Sequence, residues 1–312
     1  MRTSTAAPRA DLYTRITERV IADLERGVRP WLKPWNAANS AGSISLPLRH
    51  NGVPYRGINI LILWGEALDK GYSSAIWMTF RQALALGASV RRGEHASMVV
   101  YADRFIKTAT NADGNDVERA IPFLKAYSVF NVAQIDGLPP HYYAQPEHSA
   151  DKLQLIEAAE RFFAAVGAVI RHGGDTAYYA PGPDVIQLPV PQAFRDAESY
   201  AATKAHELTH WTSHPQRLAR DFGGKRFGDT GYAREELVAE MGAAFLCADL
   251  GITVEPRADH ASYVAHWLEA LREDKRAIFA ATAHAQRAVD YLRGLQPDLE
   301  SVAAGTTGEQ TP

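Results

Sequence analysis

Cysteine is almost absent from this sequence: Cys247 is the single cysteine among 312 residues. One thiol excludes an internal disulfide, and such low cysteine usage is typical of proteins from a reducing compartment. Cys247 lies in the apolar stretch GAAFLCADLG, where a cysteine behaves as a small hydrophobic side chain. We therefore predict a buried thiol rather than a nucleophile.

Long hydrophobic runs are also missing. The longest strongly apolar run, GINILILWGEAL at residues 57–68, is interrupted by Glu66 and falls short of the roughly 20 apolar residues that a membrane-spanning helix needs. The first 20 residues, MRTSTAAPRADLYTRITERV, contain no apolar core of the kind that directs secretion. These absences argue against a membrane partner and favour a cytoplasmic protein.

Neither sign of charge dominates the whole chain, but its two halves differ. The formal net charge is −3, while residues 1–140 contain 17 Lys and Arg against 12 Asp and Glu, a net of +5. Residues 141–312 contain 16 against 24, a net of −8. With 46% apolar and 22% charged residues, the composition is that of a globular protein rather than a disordered or fibrous one.

The length predicts two domains, because 312 residues exceed the roughly 100–200 residues of one typical domain. The segment DGLPPHYYAQPEHSA at residues 136–150 combines Gly, Pro and polar residues without a periodic apolar pattern, as linkers do. We place the domains at residues 1–140 and 151–312 and the linker at residues 141–150, and we expect each domain to have its own core.

Both predicted domains mix helices and strands. Apolar residues recur every four positions from Leu12 to Leu24, and Gly27 follows, which predicts an amphipathic helix with a glycine cap. Helices are also predicted at residues 79–88, 151–167, 233–251 and 263–295, and strands at residues 96–105, 126–135 and 175–189. The predicted fold class is therefore α+β.

The clearest motif is HELTH at residues 206–210. Residues four apart on a helix lie one turn above each other, so His206 and His210 can direct both imidazoles at one point. Glu207 lies about 100° round the helix from His206, close enough to reach a water molecule held there without binding the metal itself. The spacing predicts a hydrolytic metal site with Glu207 as its base.

A zinc site of this kind needs a third protein ligand and an open position for water. The segment REELVAE supplies Glu236 and Glu240, one turn apart on the next predicted helix. We predict Glu236 as the ligand and Glu240 as the carboxylate that orients a ligand imidazole, with Glu240 as ligand the main alternative. Glu235 is expected to face solvent, because it points about 100° away.

Two further side chains, His214 and Tyr232, lie near the motif. His214 extends the histidine face by another turn, but Pro215 disfavours helical geometry at the residue before it. We therefore expect the helix to end there and His214 to turn away from the metal. A second donor to the oxyanion of the reaction is expected, and Tyr232 is a candidate by position alone.

The segments HELTHWTSHPQRL, FGD and YAREELVAEMGAAFL resemble the zincin-like metallopeptidase domain of the ArdC-type antirestriction proteins of conjugative plasmids. These proteins are relatives of the N-terminal regions of TraC-type plasmid primases. The first half resembles the same family's single-stranded DNA-binding domain in YTRITERVIADLERGVRPWLKPWN, PYRGINILIL, WMTFRQALALGASVRRGEHASMVVY and VFNVAQIDGL. Together the resemblance covers residues 10–295.

The resemblance implies a cytoplasmic protein that binds single-stranded DNA through its N-terminal domain and carries a metal-dependent peptidase-like C-terminal domain. His206, Glu207, His210 and the EELVAE segment occupy the matching motif positions. The predicted cofactor is one divalent ion, zinc or alternatively manganese. Proteins of this kind protect incoming conjugative DNA from host restriction, so a host restriction-related protein is the candidate substrate.

The first half also suits single-stranded DNA on its own terms, because flat rings stack on bases while cations follow the phosphates. Four of the six tryptophans fall within the first 80 residues. The predicted DNA contacts are two tryptophans and five cations: Trp31, Trp35, Lys33, Arg56, Arg81, Arg91 and Arg92. A place in the core is the alternative for the tryptophans, and a solvated surface is the alternative for the arginines.

Two hypotheses of function follow. In the first, the chain is a peptidase in which Glu207 takes a proton from the attacking water and passes it to the leaving amine. In the second, the chain coats single-stranded DNA, and the metal only braces the C-terminal helices. An intact Glu207 favours the first hypothesis, because a structural site needs no base.

Overall fold

The structure is a computed structural model of the chain, and it describes residues 11–31, 45–110, 116–144, 152–223, 229–252 and 261–297. The helices within these ranges are α1 (Leu12–Glu25), α2 (Ile58–Lys70), α3 (Phe80–Ala85), α4 (Lys152–Ala165), α5 (Ala197–Trp211), α6 (Thr230–Leu250), α7 (Ala261–Glu273) and α8 (Ala277–Gly294). The strands are β1 (Leu48–Arg49), β2 (Ile76–Met78), β3 (Ser89–Val90), β4 (Ser97–Thr110), β5 (Asp116–Asn131), β6 (Ile135–Asp136), β7 (Val169–His172), β8 (Tyr178–Ala180) and β9 (Val185–Leu188). The mixture confirms the α+β class.

The first half is built on a four-stranded sheet in the order β1-β2-β5-β4. β1 and β2 are parallel, and the other pairs are antiparallel. β4 and β5 form a long hairpin in which Ser97 pairs with Val129 and Thr110 with Asp116. β3 and β6 form a separate two-stranded ribbon.

The apolar run of the first half forms α2. Residues on different sides of this helix are buried in two different hydrophobic clusters. Leu63 packs in a cluster with Trp77 of the sheet, while Ile60 and Trp64 belong to the largest hydrophobic cluster of the protein. A helix that is hydrophobic all round is one that the fold encloses. None of the described helices is both long enough and apolar enough to cross a membrane.

The second half contains the five helices α4 to α8 and a three-stranded sheet in the order β7-β9-β8, and α5 packs against β8 and β9 of that sheet. α5 and α8 both pack on α6, which is buried along most of its length. Cys247 of α6 is fully buried, and burial raises the pKa of its thiol to about 12. The prediction of a buried cysteine is therefore confirmed.

The helical stretch predicted over residues 263–295 is present but divides into two helices, α7 and α8. The Asp274 side chain accepts a hydrogen bond from the backbone N–H of Arg276 at 2.8 Å. Such local side-chain contacts compete with the helical hydrogen bonds of the backbone. The turn also lets the Lys275 carbonyl accept a hydrogen bond from the Thr17 hydroxyl at 2.7 Å.

The two halves share the largest hydrophobic cluster, and the first half also has two smaller clusters of its own. The rings of Tyr13 in α1 and Phe279 in α8 lie 4.7 Å apart between centroids. Trp64 of α2 packs edge-on against Phe245 of α6 at 6.0 Å. The backbone N–H of Gly57 donates to the side-chain oxygen of Gln286 at 3.1 Å.

The predicted linker is described only in part. Residues 140–142 form a 3₁₀ turn, and Tyr142 is buried beside Leu138 and donates its hydroxyl hydrogen to the carbonyl of His50 at 3.1 Å. The packed residues of the first half thus continue to Tyr142. Residues 145–151 lie outside the described residues, and the predicted domain boundaries stay predictions.

α5 and α6 approach each other closely at Gly242. A Cβ atom built on Gly242 would lie 2.5 Å from Cγ2 and 2.6 Å from Oγ1 of Thr209. Thr209 is fully buried, and its hydroxyl donates to the Ala205 carbonyl at 2.8 Å. A side chain at residue 242 would therefore force the two helices apart.

Gly242→Ala is expected to lower the free energy of unfolding. Alanine favours a helix over glycine by about 1 kcal/mol, but overpacking of a buried contact costs about 1–3 kcal/mol, and Thr209 has no room to move. Urea unfolding of the full chain measures the difference. Gly65→Ala is the matched control, because its Cβ would meet only the Arg19 side chain, at 3.6 Å; equal stability of the two variants would contradict the prediction.

Candidate metal centre

The histidine motif lies near the C-terminal end of α5. The helix begins after Asp196, whose side chain accepts a hydrogen bond from the backbone N–H of Ser199 at 2.8 Å. It ends at Trp211, three residues before His214. The last turns are buried against α6, so His206 and Glu207 both lie in the interior.

The structure brings His206, His210 and Glu236 together. The Nε2 atoms of the two imidazoles are 3.2 Å apart. The Glu236 carboxylate lies 3.6 Å from Nε2 of His206 and 3.5 Å from Nε2 of His210. One ligand atom from each of the three residues lies within 4.8 Å of the others.

These distances fit a small divalent cation. Zinc binds histidine nitrogen at about 2.0–2.1 Å in a tetrahedron, which places two such nitrogens roughly 3.4 Å apart. The observed 3.2 Å between the Nε2 atoms is close to that value. Two imidazoles and one carboxylate are also the protein ligands of a zinc site that keeps its fourth position for water.

The other ring nitrogens face carboxylates of α6. Glu240 lies 3.5 Å from Nδ1 of His206, and Glu235 lies 3.1 Å from Nδ1 of His210. The expectation that Glu235 faces solvent is therefore wrong. Arg220, from the segment after α5, pairs with Glu235 and holds it against His210.

The electrostatics of the centre favour a positive charge at the imidazoles. Burial lowers the pKa of His210, but Glu236 and Glu235 outweigh this effect and raise that pKa well above its usual value. Burial raises the pKa of Glu236, yet His210 and His206 bring it well below its usual value. Burial likewise raises the pKa of Glu235, and Arg220 reverses the change. Carboxylates packed this closely need a positive charge among them.

Two predicted residues lie beside the ligand cluster. Glu207 is buried next to His206 along α5 but is not one of the three clustered ligand residues, which is compatible with a base rather than a ligand. Tyr232 lies one turn before Glu236 on α6, and its backbone N–H donates to Asp229 at 2.7 Å. Its role as a donor to an oxyanion stays a prediction.

His214 is not one of the clustered ligand residues. Its Nδ1 accepts a hydrogen bond from the backbone N–H of Gln216 at 3.2 Å. The ring is thus used in the turn that follows α5, as the restriction imposed by Pro215 suggests.

The predicted DNA contacts are distributed unevenly. Trp31 is 0% exposed and packs edge-on against Trp267 of α7 at 5.8 Å between ring centroids. The expectation for Trp31 is therefore corrected, because a ring enclosed in the core offers no face to a base. Lys33 and Trp35 lie outside the described residues.

All four predicted arginines are exposed, but two of them are engaged. Arg56 forms an ion pair with Asp290 of α8. Arg91 donates to Glu94 at 2.9 Å and to the Ala133 carbonyl at 2.5 Å. Arg81 is the second residue of α3, and Arg92 lies in the turn between β3 and β4.

Sequence reasoning missed two exposed tyrosines on the long hairpin. Tyr101 of β4 is 49% exposed, Tyr127 of β5 is 47% exposed, and their ring centroids are 6.4 Å apart. Lys125 lies directly across from Tyr101 in the strand register. Strand alternation gave no signal for this exposure, because Tyr101 shares a face with the buried Val99.

Two family models match the chain. One describes a zincin-like metallopeptidase and covers residues 157–284, and the other describes the N-terminal domain of the anti-restriction factor ArdC and covers residues 10–130. Fold and centre thus define a protein with a zincin-like metallopeptidase domain in its second half. The chain belongs to the ArdC antirestriction family, as the following relatives show.

The relatives match nearly the whole chain. The crystal structure of the antirestriction protein ArdC from plasmid R388, in its metal-free form, is 44% identical, covers 92% of this chain and 98% of that one, and superposes with a TM-score of 0.77. The Mn(II)-bound structure of that protein is 43% identical over 93% and 100% of the two chains, with a TM-score of 0.74. The uncharacterized protein y4eC of Sinorhizobium fredii is 44% identical over 93% of this chain and 94% of its own length.

A longer protein contains the same region. The DNA primase TraC of Escherichia coli is 39% identical over 295 residues, which make up 90% of this chain but only 27% of the primase. The family resemblance inferred from the motifs is therefore confirmed.

The position of the Glu236 carboxylate generates a prediction on metal affinity. Glu236→Gln is expected to weaken binding of Zn²⁺ more than Glu240→Gln, because Glu236 faces both Nε2 atoms whereas Glu240 reaches only Nδ1 of His206. Loss of a carboxylate that orients a ligand typically costs about 10–100-fold in metal affinity. Competition with a chromophoric chelator measures both constants, and a larger loss in Glu240→Gln would make Glu240 the ligand.

Proposed function

We propose that the second half of the chain is a metal-dependent peptidase in which His206, His210 and Glu236 hold one divalent ion and Glu207 is the catalytic base. The convergence of both Nε2 atoms on the Glu236 carboxylate carries this proposal. The buried position of Glu207 beside the ligands supports its role.

The chemistry divides between the ion and the chain. A divalent ion held by His206, His210 and Glu236 would supply Lewis acidity and a water whose pKa is lowered to about 7. Glu207 accepts the proton of the attacking water and delivers it to the leaving amine. Glu235 lies against Nδ1 of His210 and Glu240 near Nδ1 of His206; hydrogen bonds accepted from these nitrogens would leave both Nε2 lone pairs free to hold the ion.

Zinc is the ion that we propose, with manganese as the alternative. Two imidazoles and one carboxylate suit zinc. The related ArdC from plasmid R388 has a structure with Mn(II) bound.

We further propose that the first half binds single-stranded DNA. Its net charge of +5 favours a polyanion, and the exposed Tyr101 and Tyr127 offer rings for stacking on bases. Arg81 and Arg92 are exposed cations that suit phosphates. The tyrosine pair replaces the buried Trp31 as the proposed stacking surface.

Together these activities suit a cytoplasmic protein that protects incoming conjugative DNA from host restriction. The membership in the ArdC antirestriction family supports this role. The proposed substrate of the peptidase is a host restriction-related protein. The competing proposal is a coat on single-stranded DNA in which the metal only ties α5 to α6, and the basic first half supports it.

Glu207→Gln separates the two proposals, because it removes the base but keeps the size of the side chain. We expect proteolysis to fall by about 10²–10⁴-fold, while bound metal and affinity for DNA stay at the wild-type level. The measurement is conjugation into a restricting host that carries either wild type or the variant, combined with a comparison of the recipient proteomes.

The outcomes are distinct. Loss of protection together with accumulation of a host protein supports the peptidase and names its substrate. Full protection by Glu207→Gln, with no protein accumulating, would falsify a proteolytic requirement and favour the coat.

Binding of single-stranded DNA is expected to depend on the tyrosine pair. In Tyr101→Ala and Tyr127→Ala, the affinity of the full chain for a labelled oligonucleotide should fall about fivefold or more, because stacking contributes about 1–3 kcal/mol per base. The full chain is used because α1 and α2 pack on the C-terminal helices. Fluorescence anisotropy at several salt concentrations measures the affinity.

Tyr178→Ala is the matched control, because Tyr178 is also an exposed strand tyrosine, at 51%, but lies in the second half. It should leave the affinity unchanged. Equal affinity for duplex DNA, or a flat response to salt, would argue against the single-strand proposal.

A further inference from the structure

Arg220 is a charged side chain enclosed within the second half. Its side chain is only 1% exposed. Its Nε donates to Oε2 of Glu235 at 2.7 Å, and its Nη2 donates to Oε1 of the same carboxylate at 2.6 Å. This two-point contact fixes the plane of the carboxylate, which a single contact would leave free to rotate.

The fixed carboxylate faces an imidazole of the metal centre. Oε1 of Glu235 lies 3.1 Å from Nδ1 of His210. When Nδ1 carries the hydrogen and donates it to Glu235, the lone pair of His210 lies on Nε2. Nε2 is the atom that faces His206 and Glu236.

Arg220 also holds the helix that carries His210. Its Nη2 donates to the Thr209 carbonyl at 2.9 Å, and its Nη1 donates to the Thr212 hydroxyl at 3.1 Å. Both acceptors belong to the end of α5, where carbonyls have no partner further along the helix. One guanidinium therefore fixes the end of α5 and the α6 carboxylate relative to each other.

We propose that Arg220 and Glu235 are positioning residues of the metal centre, which set the tautomer and the orientation of the His210 ring. The inference rests on the proposed metal site, and it does not require that the site cleaves peptides. Neither residue binds the ion in this arrangement; Arg220 acts through Glu235, and Glu235 acts through His210.

A contribution to stability does not explain why the Arg220–Glu235 ion pair is buried here. A buried ion pair contributes little to stability compared with apolar residues of the same volume, because both charges are removed from water. Lysine could balance the charge of Glu235, but only arginine offers a planar fork for both oxygens. The geometry therefore points to orientation as the property that the pair supplies.

The test compares metal affinity in Glu235→Gln, Arg220→Met and Arg220→Lys, all made in the full chain. Glu235→Gln is expected to weaken Zn²⁺ binding by about 10–100-fold, as is usual when a histidine ligand loses the carboxylate behind it. Arg220→Met should weaken it to a similar extent, and Arg220→Lys should recover only part of the affinity. Chelator competition gives each constant, and the visible spectrum of bound Co²⁺ reports whether the ligand geometry changes.

Arg217→Met is the matched control for damage to the segment after α5. Like Arg220, Arg217 donates to a carbonyl at the end of α5, that of Trp211, at 2.6 Å. It also donates to both carboxylate oxygens of Asp184, at 2.5 and 3.0 Å. The structure gives Asp184 no contact with His206 or His210 among the described residues. Arg217→Met should therefore lower the thermal unfolding midpoint in the presence of a chelator but leave the affinity for Zn²⁺ unchanged.

The double variant distinguishes positioning from general destabilisation. If Arg220 acts through Glu235, then Arg220→Met should reduce the affinity for Zn²⁺ little further in a Glu235→Gln background.

Wild-type affinity in Glu235→Gln, or an equal loss in Arg217→Met, would overturn the inference. A wild-type chain that binds no divalent ion would overturn the metal site and this inference with it. A chain that binds metal and cleaves nothing would refute only the peptidase, and weakened binding in Glu235→Gln would still support the positioning role.

Discussion

The metal centre depends on the close crossing of α5 and α6 at Gly242. The imidazoles come from α5 and the carboxylates from α6, so their distances are set by how near the two helices lie. Thr209 fills the space that a side chain at residue 242 would need. Because Thr209 lies within the motif itself, one residue before His210, the same turn that presents the imidazole also sets the spacing between the helices.

Charge is the second constraint that shapes α6. Glu235, Glu236 and Glu240 lie on one helix and face two imidazoles and one guanidinium. Buried carboxylates are costly unless they are paired and hydrogen-bonded. Arg220 offsets one charge, and the imidazoles or a bound cation must offset the others. The helix thus tolerates three acidic residues because its neighbours supply the opposite charge at fixed positions.

Helical periodicity alone could predict that His206 and His210 converge and that Glu236 and Glu240 share a face. It could not predict the partial burial of Glu235. Periodicity gives the direction of a side chain on its helix, but it does not show that a distant segment brings Arg220 against that side chain. The segment after α5 returns Arg220 to that position through an unusual backbone, with Ala219 at a φ of 49°. Composition likewise could not separate the buried Trp31 from the exposed Tyr101, because both are aromatic residues beside cations. The division of the last predicted helix depended on a single Asp274 turn, which no glycine or proline marks.

The shared core explains why the two halves occur together. α2 packs on the sheet of the first half by one face, and by the other it brings Trp64 against Phe245 of α6, the helix that carries Glu236. Separation of the halves would expose this apolar contact to water, at a cost that rises with the area uncovered. The matched region of the TraC primase spans 295 residues, and so contains both halves within a much longer protein. Because the two halves share one hydrophobic core, they stay packed together. The surface proposed for DNA is therefore held in a fixed position relative to the metal centre.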